Sequence, residues 1–174
     1  MDRIALQAMQ APFKERYREE PEAAGITLAA EGTLGEEEIS CSVETGRALV
    51  KAGLHPATGG SPTFACSGDM LLQALVACAG VTLQAVATAL EVPLRGGKVR
   101  AEGDLDFRGT LGVSKEAPVG FTDIRLHFDL DVDDGADKDQ LATLLRLTER
   151  YCVVFQTLVG SPSVTVGYAT TDPA

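Results

Sequence analysis

The chain has 174 residues, with 15 Lys and Arg against 25 Asp and Glu, a formal charge of −10, 45% hydrophobic residues and no Trp. That length suits one compact domain whose core is built from aliphatic side chains and Ala, and the apolar fraction excludes intrinsic disorder. The acidic balance, without clustered Lys or Arg, argues against nucleic acid and against an anionic membrane as partners.

The first stretch, Ile4 to Glu20, reads as an amphipathic helix on the outside of the fold. It belongs to an N-terminal helical extension, 1–24, ahead of a core, 25–174, in a single domain. The start Met1-Asp2-Arg3 and the charges from Lys14 to Glu20 leave no apolar stretch of signal-peptide type, so a cytoplasmic location with reduced thiols is expected. Ile26 to Leu34 and Glu38 to Val43 form a predicted hairpin turning at Gly35, with a third strand around Ala48 to Ala52. Leu54 to Ser67, rich in Gly, Pro, Ser and Thr, reads as a loop.

From Met70 to Leu90 no charge occurs, which reaches the length of a membrane helix, about 20 residues. However, Gln73, Thr82, Gln84, Thr88 and many alanines dilute it, and no cationic cluster flanks either end. The expectation is a core helix, apolar on nearly every face because protein surrounds it, capped by Ser67 or Asp69 and stopped by Pro93 and Gly96-Gly97.

Val99 to Phe107 is a predicted strand, joined through a loop from Gly109 to Gly120 to a second one. There Ile124, Leu126, Phe128, Leu130 and Val132 alternate with Arg125, His127, Asp129 and Asp131. The acidic run Asp131-Val132-Asp133-Asp134-Gly135 lacks calcium-loop spacing and reads as a solvated turn. Asp137 and Gln140 have capping-box spacing and open a helix to about Cys152. Leu141, Leu145, Thr148 and Cys152 share one inward stripe. Val153, Val154 and Phe155 are poorer helix formers, so a break is expected after Cys152; Val164, Val166 and Tyr168 suggest a last strand. The fold class is α+β with mainly antiparallel sheet.

None of Cys41, Cys66, Cys78 and Cys152 forms a C-x-x-C pair, and His55 and His127 stand in no ligand spacing with them, so no metal or other cofactor is expected. A free buried Cys commonly just fills space. Two cysteines on two paired core helices, Cys78 and Cys152, have a second reading: a thiol pair in an apolar interior is what a thiol peroxidase needs. One thiolate attacks a hydroperoxide and becomes a sulfenic acid, and the other condenses with it to a disulfide. Cys41 reads as core packing and Cys66 as incidental or a further resolving thiol. His55 reads as surface or a pocket entrance, and His127 as solvated.

The segment from Ser67-Gly68-Asp69 through Leu75-Val76-Ala77-Cys78 to Val81-Thr82-Leu83 resembles the first cysteine motif of the OsmC and organic hydroperoxide resistance family. Glu149-Arg150-Tyr151-Cys152-Val153-Val154 resembles its second motif, and Val99 to Gly120 the strand pair between them. The likeness covers about residues 40 to 170. It implies an OsmC-like intertwined homodimer, with sheets wrapped around two central helices, that reduces organic hydroperoxides. Cys78 would attack and Cys152 resolve, with a small dithiol or thiol–disulfide protein as reductant. It also implies an arginine beside the thiolate, best matched by Arg47, held by a carboxylate that maps onto Asp69, where Glu is common. Proline often follows the second cysteine in the family; here Val153 stands instead.

Physical chemistry agrees that such a cation has work to do. Cys78 lies well inside its own helix, beyond the reach of that helix's N-terminal field, and apolar burial raises a thiol's pKa. A nearby cation is therefore expected, with Arg47, Arg108 and Arg150 as candidates and Arg150 badly placed. The alternative is a non-catalytic OsmC-like dimer that binds an apolar small molecule, its cysteines serving as core.

Overall fold

The structure, a computed structural model, describes residues 3–34, 41–43, 52–63, 65–132 and 137–168. Helix α1 (Arg3–Glu19) and a short 3-10 turn (Pro21–Ala24) lead into β1 (Gly25–Leu34), which pairs antiparallel with β2 (Cys41–Val43). The turn at Gly35 and most of the expected third strand lie outside the described residues; β3 (Ala52–Gly53) forms a two-residue parallel ladder with β4 (Ala65–Cys66). The long helix α2 (Ser67–Ala89) precedes β5 (Leu94–Asp106), a short α3 (Phe107–Thr110) and β6 (Asp123–Val132). Two helices, α4 (Lys138–Tyr151) and α5 (Val153–Gly160), complete the fold.

The main sheet has the order β2-β1-β5-β6, all antiparallel. As the alternation in β6 predicts, one face packs inward: Val99 sits opposite Phe128 and Ala101 opposite Leu126, with Val99 and Ala101 fully buried. The other face carries charges paired across strands, Arg125 with Asp104 and Arg100 with Asp129 at 2.7 Å. Such exposed pairs are screened by water and add little to stability. They keep the outer face wet and so help fix which face turns inward.

α2 lies across the inner face of this sheet and against α4 and α5. Leu72, Leu75, Val76, Ala79 and Leu83 from α2 meet Val99, Ala101 and Leu144 in one core. Each fully buried Leu or Val stabilises the fold by about 1.5–3 kcal/mol. By length and hydropathy α2 could cross a membrane, and its inner face is instead packed on protein. The expectation of burial on nearly every face needs correction: Met70, Leu71 and Val81 of α2 are exposed in the single chain.

Three local expectations also change. Cys66, not Ser67 or Asp69, is the residue at the N-cap of α2, and it supplies no side-chain cap; Ser67 and Asp69 already lie within the helix. Asp137 does cap α4, accepting from the Asp139 amide at 3.0 Å, but Gln140 closes no capping box. Its amide reaches across to the Leu90 carbonyl at 3.3 Å and ties the start of α4 to the end of α2. The stretch from Val164 to Tyr168 forms no strand; Val166 is 95% exposed, because no strand of this chain pairs with it among the described residues.

Candidate active site

The break expected after Cys152 is present and has a consequence. The Cys152 amide still donates to Thr148 O at 2.9 Å, as the last bond of α4. The backbone then turns extended at Cys152 (φ −72°, ψ 108°), and its carbonyl accepts from the Gln156 amide at 2.9 Å to begin α5. One residue thus closes one helix and opens the next. The first amides of any helix have no partner within it and point outward with a positive field. Here that end faces sulfur.

Cys78 projects from the middle of α2 toward this junction. Burial pushes its thiol pKa up, but the Val154 amide, the Cys152 thiol, the Val153 amide and the Thr82 hydroxyl favour the thiolate, and together they hold it below the ordinary thiol value. Thr82 is one helical turn beyond Cys78 on the same face, the geometry of an i, i+4 pair. Cys152, 1% exposed, responds in the opposite sense. Burial, together with its bond to Cys78 and the charge there, pushes it up to about 11, with the Phe155 and Val154 amides opposing. The pair therefore divides into one sulfur that favours the thiolate and one that keeps its proton and donates it. Both are free thiols in this structure.

Beside the expected cation, the start of a second helix also acts on the Cys78 thiol. Donors from the N-terminus of a second helix lower the pKa, a source that the position of Cys78 within its own helix does not reveal. Of the three arginines considered, Arg108 is bound to Asp106, its Nε 3.1 Å from Oδ1, and Arg150 lies over the Tyr151 ring at 5.5 Å. Arg47 lies outside the described residues. Asp69 is half-buried in the first turn of α2; burial raises its pKa, and the nearby His55 opposes that rise.

The remaining candidates are dispersed. His127 is exposed and sits 3.0 Å from Asp129, as a solvated residue should. His55 is half-buried at the edge of a cleft, in line with the pocket-entrance reading: its ring stacks on Phe107 at 5.1 Å, and its Nδ1 accepts from the Ala57 amide at 3.0 Å. Cys66 lies at the far end of α2 from Cys78, and the Cys41 side chain is outside the described residues. Among the described residues no cluster of three or more His, Cys, Asp or Glu forms a metal site. Beside Thr82 runs an open apolar groove of about 400 Å³, walled by Val81, Ala85 and Val86 of α2 and by Leu147 and Tyr151 of α4.

Sequence comparison matches residues 60–167 to the model of the OsmC-like protein family, a span that includes both cysteines of the pair. No curated protein matches the chain significantly. Among solved structures, an OsmC-like hydroperoxide resistance protein from Jannaschia sp. CCS1 superposes with a TM-score of 0.56 at 15% identity, covering 86% of this chain and 95% of that one. At that identity the match speaks for the fold.

Proposed function

The chain belongs to the OsmC-like family, and from that premise we propose that it is a thiol-dependent peroxidase acting on organic hydroperoxides in oxidative-stress defence. The single observation that carries this reading is the Cys78 thiol packed in one core with Cys152, where the start of α5 and the second thiol hold its pKa down. The related fold of a hydroperoxide resistance protein supports it.

In the first step the Cys78 thiolate attacks the distal oxygen of the hydroperoxide. An S–O bond forms, the O–O bond breaks, and the alkoxide leaves as alcohol after taking a proton. Donors placed around the reacting atoms stabilise the charge as it moves. Burial is the main reason Cys152 keeps its proton, but the Cys78 charge that adds to it has then gone, which lowers the Cys152 pKa at the moment its sulfur is needed. Cys152 attacks the sulfenic sulfur, the S–S bond forms and water departs. A small dithiol, or a thiol–disulfide protein, restores both thiols by exchange and is itself oxidised.

The groove beside Thr82 would hold an apolar tail at about 25 cal/mol per Å² buried, which favours organic peroxides over hydrogen peroxide. In this proposal the working unit is an intertwined homodimer, supported by the exposed Met70 and Val81 of α2 and by the stretch from Val164 to Tyr168, unpaired among the described residues. Asp69 and Arg47 act as the carboxylate and arginine of the site. The test is cumene hydroperoxide consumption with excess dithiothreitol. Cys78→Ser should abolish it, whereas Cys152→Ser should permit one turnover and leave a sulfenic acid that dimedone traps. Undiminished turnover in Cys78→Ser would refute the mechanism.

A further inference from the structure

At the far end of α2 from the cysteine pair a second cleft opens, of about 400 Å³, between the segment from Gly53 to Thr58, the start of α2, and the β5–α3 corner. That volume falls within the range of small-molecule sites. Its walls are apolar, with Leu105, Phe107 and Phe121 among them, and among the described residues no Asp, Glu, Lys or Arg lines it. Leu54, Leu71 and Val119 at its edge are large apolar side chains left exposed.

The cleft is built rather than incidental. Phe121 packs directly on Gly103 of β5, where any Cβ would collide with its ring. Gly109 likewise lets the Ala117-Pro118 backbone approach so closely that a side chain there is excluded, which seats the loop bearing Val119 and Phe121. On the opposite wall His55 is fixed from several directions. Its carbonyl accepts from the Thr58 amide (2.9 Å), the Thr58 hydroxyl (2.9 Å) and the Gly60 amide (3.1 Å), and Tyr17 anchors the same turn through Ala57 O at 2.6 Å.

The Ala57 amide on Nδ1 sets the tautomer of His55: Nδ1 is the acceptor, so the proton resides on Nε2. Among the described residues no acceptor takes that Nε2–H. Among the described residues the lining is apolar with one rigid donor and no formal charge, Asp69 acting on His55 from outside it, so the cleft selects its ligand by chemistry. We propose that this cleft binds an uncharged apolar molecule carrying a hydrogen-bond acceptor such as a carbonyl, which receives the Nε2–H of His55. The cleft includes neither cysteine of the pair, although Asp69, assigned above to the peroxidase site, stands near its His55 wall.

The probe is prodan, a neutral naphthyl ketone whose emission reports both an apolar environment and hydrogen bonding to its carbonyl. The full chain should bind it saturably, and binding should slow alkylation of Cys66, which lines the cleft, as read by peptide mass spectrometry. His55→Asn keeps an acceptor for the Ala57 amide and removes the Nε2–H. It should weaken binding about three- to tenfold, the worth of one neutral hydrogen bond, and shift the bound emission to the blue. Leu71→Asp, and independently the more exposed Val119→Asp, should weaken binding at least tenfold while Cys78→Ser leaves it intact. No saturable binding, no protection of Cys66, or rim variants that bind like the parent would each overturn the proposal.

Discussion

The backbone N–H of Val154, at the start of α5, favours the thiolate of Cys78 in the middle of α2. The field that favours the thiolate therefore comes from a helix other than the one that carries it, and the interruption at Cys152 is what aims it.

Val153 tests this directly. Proline is at home in the first position of a helix, and the extended backbone at Cys152 already suits a following proline. Val153→Pro should thus fold normally, yet it removes one amide that favours the Cys78 thiolate. The Cys78 pKa should rise, and its alkylation by iodoacetamide at neutral pH should slow by up to about tenfold, the equivalent of about 1.4 kcal/mol. An unchanged pH–rate profile would show that the Val153 amide contributes nothing.

Thr82 makes a second, milder test. Thr82→Val keeps the shape and loses the hydroxyl that favours the Cys78 thiolate, so the pH profile of peroxide reduction should move to higher pH. Thr82→Ser should restore it. Equal profiles for the valine and serine variants would assign Thr82 to packing alone.

The two sulfurs should titrate as a pair. Part of what raises Cys152 to about 11 is its bond to Cys78 and the charge there. In Cys78→Ser the Cys152 pKa should fall, remaining above the ordinary thiol value of about 8.5 because burial persists. Thiolate absorbance during a pH titration, in a background lacking Cys41 and Cys66, reads this shift.

Asp69 carries a cost. Its folded-state pKa lies above the unfolded value of about 3.9, so the native state holds the proton more tightly. That contribution is full below the unfolded value and is lost as pH rises through the folded one, leaving the charged carboxylate unfavourable at neutral pH. Asp69→Asn should raise the melting temperature at pH 7 by about one to three degrees. If Asp69 serves the site, the same change slows peroxide turnover, a separation of stability from activity that calorimetry and the turnover assay measure together.

Much of this was legible in the residues themselves. The alternation from Ile124 to Val132 marks β6 and its buried face, because a strand's period of two leaves little freedom when one side is wet. The stripe leading to Cys152 and the weak helix formers after it foretell both the burial of that thiol and the break. The aim of the α5 amides was not legible, since backbone donors leave no trace in side-chain patterns and their target is distant in sequence. The alternation of Val164, Val166 and Tyr168 misleads for a related reason: a strand needs a neighbour, and pattern alone does not supply one. His55 read as either surface or a pocket entrance, because nothing local announces that Phe107 will stack beneath it and seat it at a cleft.

Cys152 is at once the end of α4 and the beginning of α5. A covalent link from that pivot to Cys78 would clamp three helices at one point, so the oxidised chain would be stiffer there than the reduced one. The chain's redox history would then be recorded in how quickly the amides around the pivot trade their hydrogens with deuterated water.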